Sequence, residues 1–326
     1  MKIKKWIKKR WLIVTIIFLS IILVPYILSR VLSPWHIISG YSITQTDKTI
    51  DPEKASIRVA CYNIAHGRGV AESNTDGGNQ KERLDRLNKI AQKLNSVDAD
   101  IVVLNEVDFN TSWSYSINQA KYLAQNSGYS YWLEQRNLDF RILTWTWKFG
   151  NAVLSKYPIS EEEVLNYPGY SSLETILAGK KRGISCLVTL GKKKVKIIAA
   201  HLSHRSEDIR VKSAELITEI TSKSDVPTIL IGDLNSTPTG FPKSVKDKNG
   251  ENAIDHLDQS RVFQRFPDQS MISEENFTYN SIKPVSVIDW IFIPKNWKFL
   301  KYKVEDSKLS DHRLIYADIM YKEPNN

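Results

Sequence analysis

Acidic side chains are missing from the first 46 residues of this chain: none precedes Asp47, whereas Lys2, Lys4, Lys5, Lys8, Lys9, Arg10 and Arg30 all fall there. Those seven account for seven of the nine net positive charges, leaving residues 31–326 with a surplus of only two. A domain so close to neutral argues against nucleic acid as the favoured partner, because such binding draws on clustered Lys and Arg to neutralise phosphates. Cysteine is scarce too, at 2 of 326 residues. The spacing of Cys61 and Cys186 suits no zinc site and allows one disulfide at most; each lies in an apolar run, where a free thiol behaves as a small hydrophobe. A pair between them stays open for an exported protein. No internal repeat, low-complexity tract or Pro/Gly-rich linker interrupts residues 57–320. A string of small domains is thereby excluded, and one domain of roughly 260 residues is expected.

Long apolar runs are also absent, with one exception. Trp11 to Leu28 is an uncharged, mostly apolar stretch of 18 residues, which as a helix of about 1.5 Å per residue just spans a hydrocarbon core of about 30 Å. Basic residues before it keep the N-terminus inside and send the rest outward. The expected organisation is a basic cytoplasmic segment (1–10), a single-pass signal anchor in the cell membrane (11–32), a polar stalk (33–56) and an extracytoplasmic catalytic domain (57–322). Trp35 and Tyr41 are suited to the outer interface. A cleavable signal peptide is the competing reading. The run exceeds the usual length of about 7 to 15 residues and lacks an A-x-A-like site, so the anchor is preferred, with Pro25 a tolerated kink.

Within the domain, Leu84, Leu87, Ile90, Ala91 and Leu94 form a helical stripe over residues 80–97, ahead of a strand at 100–104. A second amphipathic helix follows His201, with Ile209, Leu216, Ile217 and Ile220 on one face and Glu207 and Asp208 in its first turn. Successive strands at 183–190 and 195–200, joined by Gly191-Lys192-Lys193, suit an antiparallel hairpin. The fold class is therefore α/β (α+β), with two packed sheets flanked by helices.

Polar residues recur in or beside the β-branched runs: Asn63 in RVACYNI, Glu106 in ADIVVLNEVD, His201 in VKIIAAHLS, Asp233 and Asn235 in VPTILIGDLNS, Asp289 in VIDWIFIP, and Asp311 and His312 in SDHRLIYADI. Singly, each reads as a turn residue or helix cap. A sheet that buries the runs gathers them at its rim, where carboxylates and an amide suit a hard cation and imidazoles suit a phosphate and a water.

The blocks YNI, NEVD, FGNAVLS, HLSHR, GDLN and SDH occur in an order that resembles the endonuclease/exonuclease/phosphatase superfamily, which includes deoxyribonuclease I, abasic-site endonucleases, neutral sphingomyelinases and inositol polyphosphate 5-phosphatases. The likeness is nearest to its small bacterial metal-dependent hydrolases and covers about residues 57 to 320. It implies a four-layer α/β sandwich and a Mg²⁺-dependent phosphoester hydrolase, with Mn²⁺ as the other candidate ion. Mg²⁺ takes oxygen ligands and usually only one or two carboxylates, so Glu106 is the principal metal ligand, joined by Asn63 and Asp311. By similarity Asp233 and Asn235 activate and position water, His201 and His312 contact the phosphate, and Asp289 pairs with His312. Whether His312 acts as base or as electrostatic clamp stays open. Asn63, Arg182 and Arg205 are the candidate substrate contacts, Arg136 and Arg141 weaker ones. Asn105 stands where relatives often have Gln. His36, His66, His204 and His256 are assigned structural roles.

Substrate is the least determined feature. Trp145, Trp147 and Phe149 alternate along residues 138–150, so one face of that segment is aromatic. It is either ordinary core or an exposed surface for a membrane or for stacked bases. A phosphoester substrate is preferred, a phospholipid-derived diester being one candidate; an extracytoplasmic nuclease is the alternative. A catalytically inactive binding module is a further alternative, whose signature, a lost motif carboxylate or histidine, is not found.

Overall fold

A computed structural model describes residues 2–32, 37–43, 55–142, 144–172, 175 and 179–321. Helix α1 (Lys2–Leu32) contains the apolar run and Pro25. Its window Lys4–Leu28 is long and apolar enough to cross a membrane, and none of that window is buried against the protein.

Two sheets form the body. The first has seven strands: β1 (Ile38–Ser42), β2 (Ser56–Asn63), β3 (Ile101–Asp108), β4 (Tyr131–Ile142), β5 (Trp145–Ser155), β12 (Lys298–Val304) and β13 (Ile315–Met320), in the order β1-β4-β5-β3-β2-β13-β12. The second has six: β6 (Ile159–Asn166), β7 (Arg182–Leu190), β8 (Lys193–His201), β9 (Thr228–Asp233), β10 (Phe263–Arg265) and β11 (Asp289–Pro294), in the order β10-β11-β9-β8-β7-β6. Each sheet is mixed. One parallel pair, β2 with β3 or β8 with β9, lies inside antiparallel neighbours. The β7–β8 hairpin turns at Gly191, as the sequence implies.

The alternation of side chains explains the unbroken apolar runs. On β2, Ile57, Val59 and Cys61 enter the core between the sheets, while Ala60 and Tyr62 face the outer helices. On β8, Val195, Ile197 and Ala199 point inward, while Ile198 and Ala200 meet the opposite helix layer. Such strands are buried on both faces, so polar alternation is lost. Helices α2 (Gln80–Val97) and α3 (Gln119–Asn126) cover the first sheet; α4 (Glu207–Ser222) and α5 (Ala253–Gln259) cover the second. The result is a four-layer α/β/β/α sandwich. Helix α2 starts at a capping box, Asn79 accepting from the Glu82 N–H and Glu82 from the Asn79 N–H. It buries Leu87, Ile90, Ala91 and Leu94 of the expected stripe together with Val97, while Leu84 is only half-buried. Each Leu, Ile or Val among them contributes about 1.5–3 kcal/mol on full burial.

One expectation is corrected, and the open question of the two cysteines is answered. Residues 38–42, read as stalk, form β1 and extend the first sheet by pairing with β4 at Ile38–Gln135 through Ser42–Tyr131; Tyr41 stacks on Trp132 at 5.2 Å. Strand pairing satisfies backbone groups that a free stalk would leave to water. The rest of the stalk at 33–36 and 44–54, including Trp35 and His36, lies outside the described residues. Cys61 and Cys186 are both free and buried in the inter-sheet core; burial pushes the Cys186 thiol up to about 12.

Candidate active site

The parallel pairs bring four strand ends to one rim. Asn63 ends β2, His201 ends β8 and Asp233 ends β9, while Asp289 begins the antiparallel β11 directly opposite Asp233. His201 also lies in register with Asp233. Glu106 sits at an irregularity in the β3–β5 ladder, between Leu104 and Val107, with a left-handed φ of 52°. Such a bulge re-aims a side chain. Two glycines permit the close packing. A Cβ on Gly232 would lie 1.8 Å from the Ala200 carbonyl oxygen, and one on Gly150 would lie 1.9 Å from that of Gln135. The glycines of GDLN and FGNAVLS are thus steric requirements.

Asp233 is the centre. Its Oδ2 accepts from Asn63 Nδ2 at 3.0 Å and its Oδ1 from the Asn235 N–H at 2.9 Å. His201 Nε2 and His312 Nε2 stand 3.6 and 3.7 Å from Oδ2. Burial, opposed by His312 but reinforced by Asp289, raises this carboxyl to about 7. Asn235, with φ 51°, also donates Nδ2 to the Leu202 carbonyl at 3.2 Å.

The two histidines differ. Burial and then Lys181 hold His201 well below the ordinary imidazole value, against the pull of Glu106; it is a neutral donor or acceptor at pH 7. Burial also disfavours charge on His312, but Asp289 and Asp233 outweigh it and raise it to about 10. Its Nδ1 pairs with Asp289 Oδ2 at 2.9 Å. The Asp289 N–H donates to Thr278 Oγ1 at 3.2 Å, and the ring of Tyr279 lies 4.9 Å from that of His312.

Two side chains outside the expected set complete the rim. Arg68 donates to Glu106 Oε2 at 3.2 Å and to Asp311 Oδ2 at 2.8 Å. His66, read from sequence as structural, places Nδ1 2.7 Å from Asp108 Oδ1 and Nε2 3.5 Å from Glu106 Oε2. Burial opposes charge on His66, but Asp108 and Glu106 raise it. Both residues sit on the loop that follows Asn63. Gln119 Nε2 braces that loop by donating to the His66 carbonyl at 2.8 Å, and Arg86 Nη1 does so through the Gly67 carbonyl at 2.7 Å. The available signal is the HGRG segment one residue after YNI, where glycines with φ 65° and 73° flank a basic residue. Burial raises the Glu106 carboxyl, yet His66, His201, Arg68 and His312 together hold it well below the usual carboxylate range.

These groups decide where a hard cation fits. Asp233, Asp289 and His312 lie close enough to form a three-residue ligand set. However, an imidazolium bonded to Asp289 has no lone pair to give, so that trio is internally satisfied by charge. Glu106 and Asp311 instead converge on a guanidinium, offering anionic oxygens around a positive centre as Mg²⁺ requires. The oxygen donors here fit such an ion.

Asn105 ties the sheets together beneath the site: Oδ1 accepts from the Asp233 N–H at 2.9 Å, and Nδ2 donates to Asn151 Oδ1 at 2.8 Å and the Ala200 carbonyl at 3.2 Å. Arg182, a candidate substrate contact, has a structural role in the described contacts. Its Nη1 serves the carbonyls of Arg136 and Asn137 at 2.9 and 3.1 Å, stitching β7 to β4. Arg136 is buried with Glu134 and Asp139 at 3.6 Å each. Arg205 is exposed on the loop between His201 and α4, as is His204, and His256 lies on α5.

The Endonuclease/Exonuclease/phosphatase family model matches residues 60–312. Among solved structures, an endonuclease/exonuclease/phosphatase family protein from Bacteroides thetaiotaomicron is 17% identical, with a TM-score of 0.61 over 82% of this chain and 98% of its own. A Bacteroides thetaiotaomicron mannosyl-6-phosphatase is 18% identical, with a TM-score of 0.58 over 81% and 100%. An endonuclease/exonuclease/phosphatase from Beutenbergia cavernae is 19% identical, with a TM-score of 0.56 over 82% and 72%. No curated protein matches the chain.

Proposed function

Because the chain belongs to the endonuclease/exonuclease/phosphatase family, a family of phosphoester hydrolases, we propose that it is a membrane-anchored, Mg²⁺-dependent phosphodiesterase or phosphatase acting outside the cytoplasm. The carrying observation is Asp233: a buried carboxyl near pH 7, oriented by Asn63 and Asn235 and flanked by His201 and His312. A general base is most effective when its pKa lies near the working pH.

In the reaction a water oxygen bonds to phosphorus while the bond from phosphorus to the leaving oxygen breaks. Asp233 takes the water proton, and the leaving oxygen acquires one from solvent. Asn235 and Asn63 fix the carboxylate that aims the water. His312, kept cationic by Asp289, faces the charge that develops on the phosphoryl oxygens, and His201 adds a neutral hydrogen bond there. Glu106 and Asp311, with Asn63 beside them, would hold Mg²⁺, which when bound supplies Lewis-acid charge to a phosphate oxygen. Mn²⁺ suits the same donors. Arg68, beside Glu106 and Asp311, offers a planar guanidinium that is well matched to a substrate phosphate.

The anchor reading draws on α1 and its preceding lysines. The test is turnover by the purified full chain of a panel containing a phospholipid diester, a sugar phosphate monoester and single-stranded DNA, each with Mg²⁺ and with EDTA. Metal-dependent release from the lipid diester or the sugar phosphate supports the proposal, and release from single-stranded DNA alone favours a nuclease instead. No release from any, by a folded protein, refutes it.

A further inference from the structure

Strand β5 shows its large aromatic side chains to solvent and hides its polar ones. Trp145 and Trp147 are 54% and 38% exposed, whereas Thr146 and Lys148 are buried. The buried side is fixed by polar pairing: Lys148 Nζ lies 3.6 Å from Asp139, and the Lys148 N–H donates to Thr111 Oγ1 at 3.0 Å. A one-residue slip that buried the tryptophans would expose that pairing, so their outward aim is part of the register. Core packing, one of the two readings of this segment, does not describe these two indoles.

The exposed rings continue into the site. Phe140 stacks on Trp147 at 5.7 Å, and Trp113 lies 6.4 Å from Trp147 and 5.9 Å from Phe149. Phe149 lies 5.2 Å from His66, which faces Glu106. The partner strand of β5, β4, is the one that meets the anchor. Helix α1 lies against β4. Because β1 is antiparallel to β4, the chain traced back from Ser42 to Ile37 heads toward the β4–β5 turn, the Ile37 carbonyl accepting from the Arg136 N–H at 2.8 Å.

We propose that the β4–β5 tip, through Trp145 and Trp147, seats in the interface of the lipid bilayer crossed by α1, as a second membrane contact that holds the active-site mouth at the outer leaflet. Indole rings favour that zone, where one edge meets apolar chains and the N–H stays wet. The bilayer is the occupant because α1 brings it to this strand. The inference rests on the anchored-hydrolase reading and adds that the phosphoester is met at the membrane surface.

The test uses the full chain in phosphatidylcholine vesicles, with an environment-sensitive NBD label on Thr144→Cys at the tip and, separately, on Lys192→Cys in the β7–β8 turn at the far end of β8 from His201. The native thiols are buried. Vesicle co-flotation reports the anchor, and the ratio of phospholipid to bis-p-nitrophenyl phosphate turnover reports interfacial use. The expected result is blue-shifted emission from position 144, quenched by shallow brominated lipids, and water-like emission from position 192. Trp145→Ser with Trp147→Ser should return the tip to water and lower the turnover ratio about tenfold, by removing two aromatic interfacial contacts. Water-like emission from position 144 in a chain that co-floats would overturn the membrane contact while leaving the hydrolase reading intact. Failure to co-float would overturn the anchor and this contact together. Shielding of position 144 by a single-stranded oligonucleotide and not by vesicles would overturn it in favour of base stacking.

Discussion

At Asp233 burial and hydrogen bonding pull in opposite directions, and burial prevails. The neighbouring His312 has the opposite balance, which makes its pH behaviour testable. Its folded value of about 10 exceeds the ordinary 6.5. The stability it contributes is therefore fully present below about pH 6.5 and is lost as the pH rises through 10. Asp289→Asn should remove most of that elevation, so that the His312 imidazole, followed by NMR, titrates well below its wild-type midpoint; an unchanged midpoint would contradict the pairing. Glu106→Gln should leave the fold intact and raise the Mg²⁺ concentration needed for half-maximal turnover, and an unshifted metal titration would remove Glu106 from the ligand set. His201→Ala should lower kcat by about 10² or more if the imidazole meets the transition state, as steady-state kinetics would report. Asn63, Glu106, His201, Asp233, Asp289 and His312 could be singled out because each lies in or beside an apolar run and the six blocks follow the order of the family they resemble. His66 and Arg68 were not, because they lie in a loop whose course depends on Arg86 and Gln119, residues distant in sequence.

Among the elements, β2, β3, β8 and β9 were legible for one reason: strands buried on both faces leave continuous apolar runs. Helices α2 and α4 were legible from their one-sided stripes. Strand β1 was not, since Ile38-Ser39-Gly40-Tyr41-Ser42 is short and polar and acquires its structure from the edge of β4. The face chosen by β5 was equally hidden, because alternation names two faces without saying which is inside; the polar pairing of Lys148 decides it. Asn105 supplies the test at this scale. Asn105→Ala would leave the Asp233 N–H and the Asn151 amide short of partners at the junction of the sheets. Each such group costs about 1–3 kcal/mol, so chemical denaturation should show a loss in that range or above. A loss below 0.5 kcal/mol, the usual scatter of a surface substitution of about ±0.5, would deny Asn105 its bridging role.

In the whole molecule, charge and hydrophobicity are divided between two parts. The basic lysines and the apolar run belong to α1, and the near-neutral remainder forms the sandwich with its polar rim. That division was plain in the sequence, as was the family, since six blocks in order span the length of the domain. The substrate was not, because the rim chemistry serves any phosphoester and selection falls to surfaces such as the β4–β5 tip.

The central claim is that Asp233 and a divalent cation hydrolyse a phosphoester at this rim. Its most direct test is steady-state turnover of bis-p-nitrophenyl phosphate by the full chain and by Asp233→Asn, each with Mg²⁺ and with EDTA. Turnover is expected only from the wild type with metal. Equal turnover by Asp233→Asn, or turnover undiminished in EDTA, would contradict it.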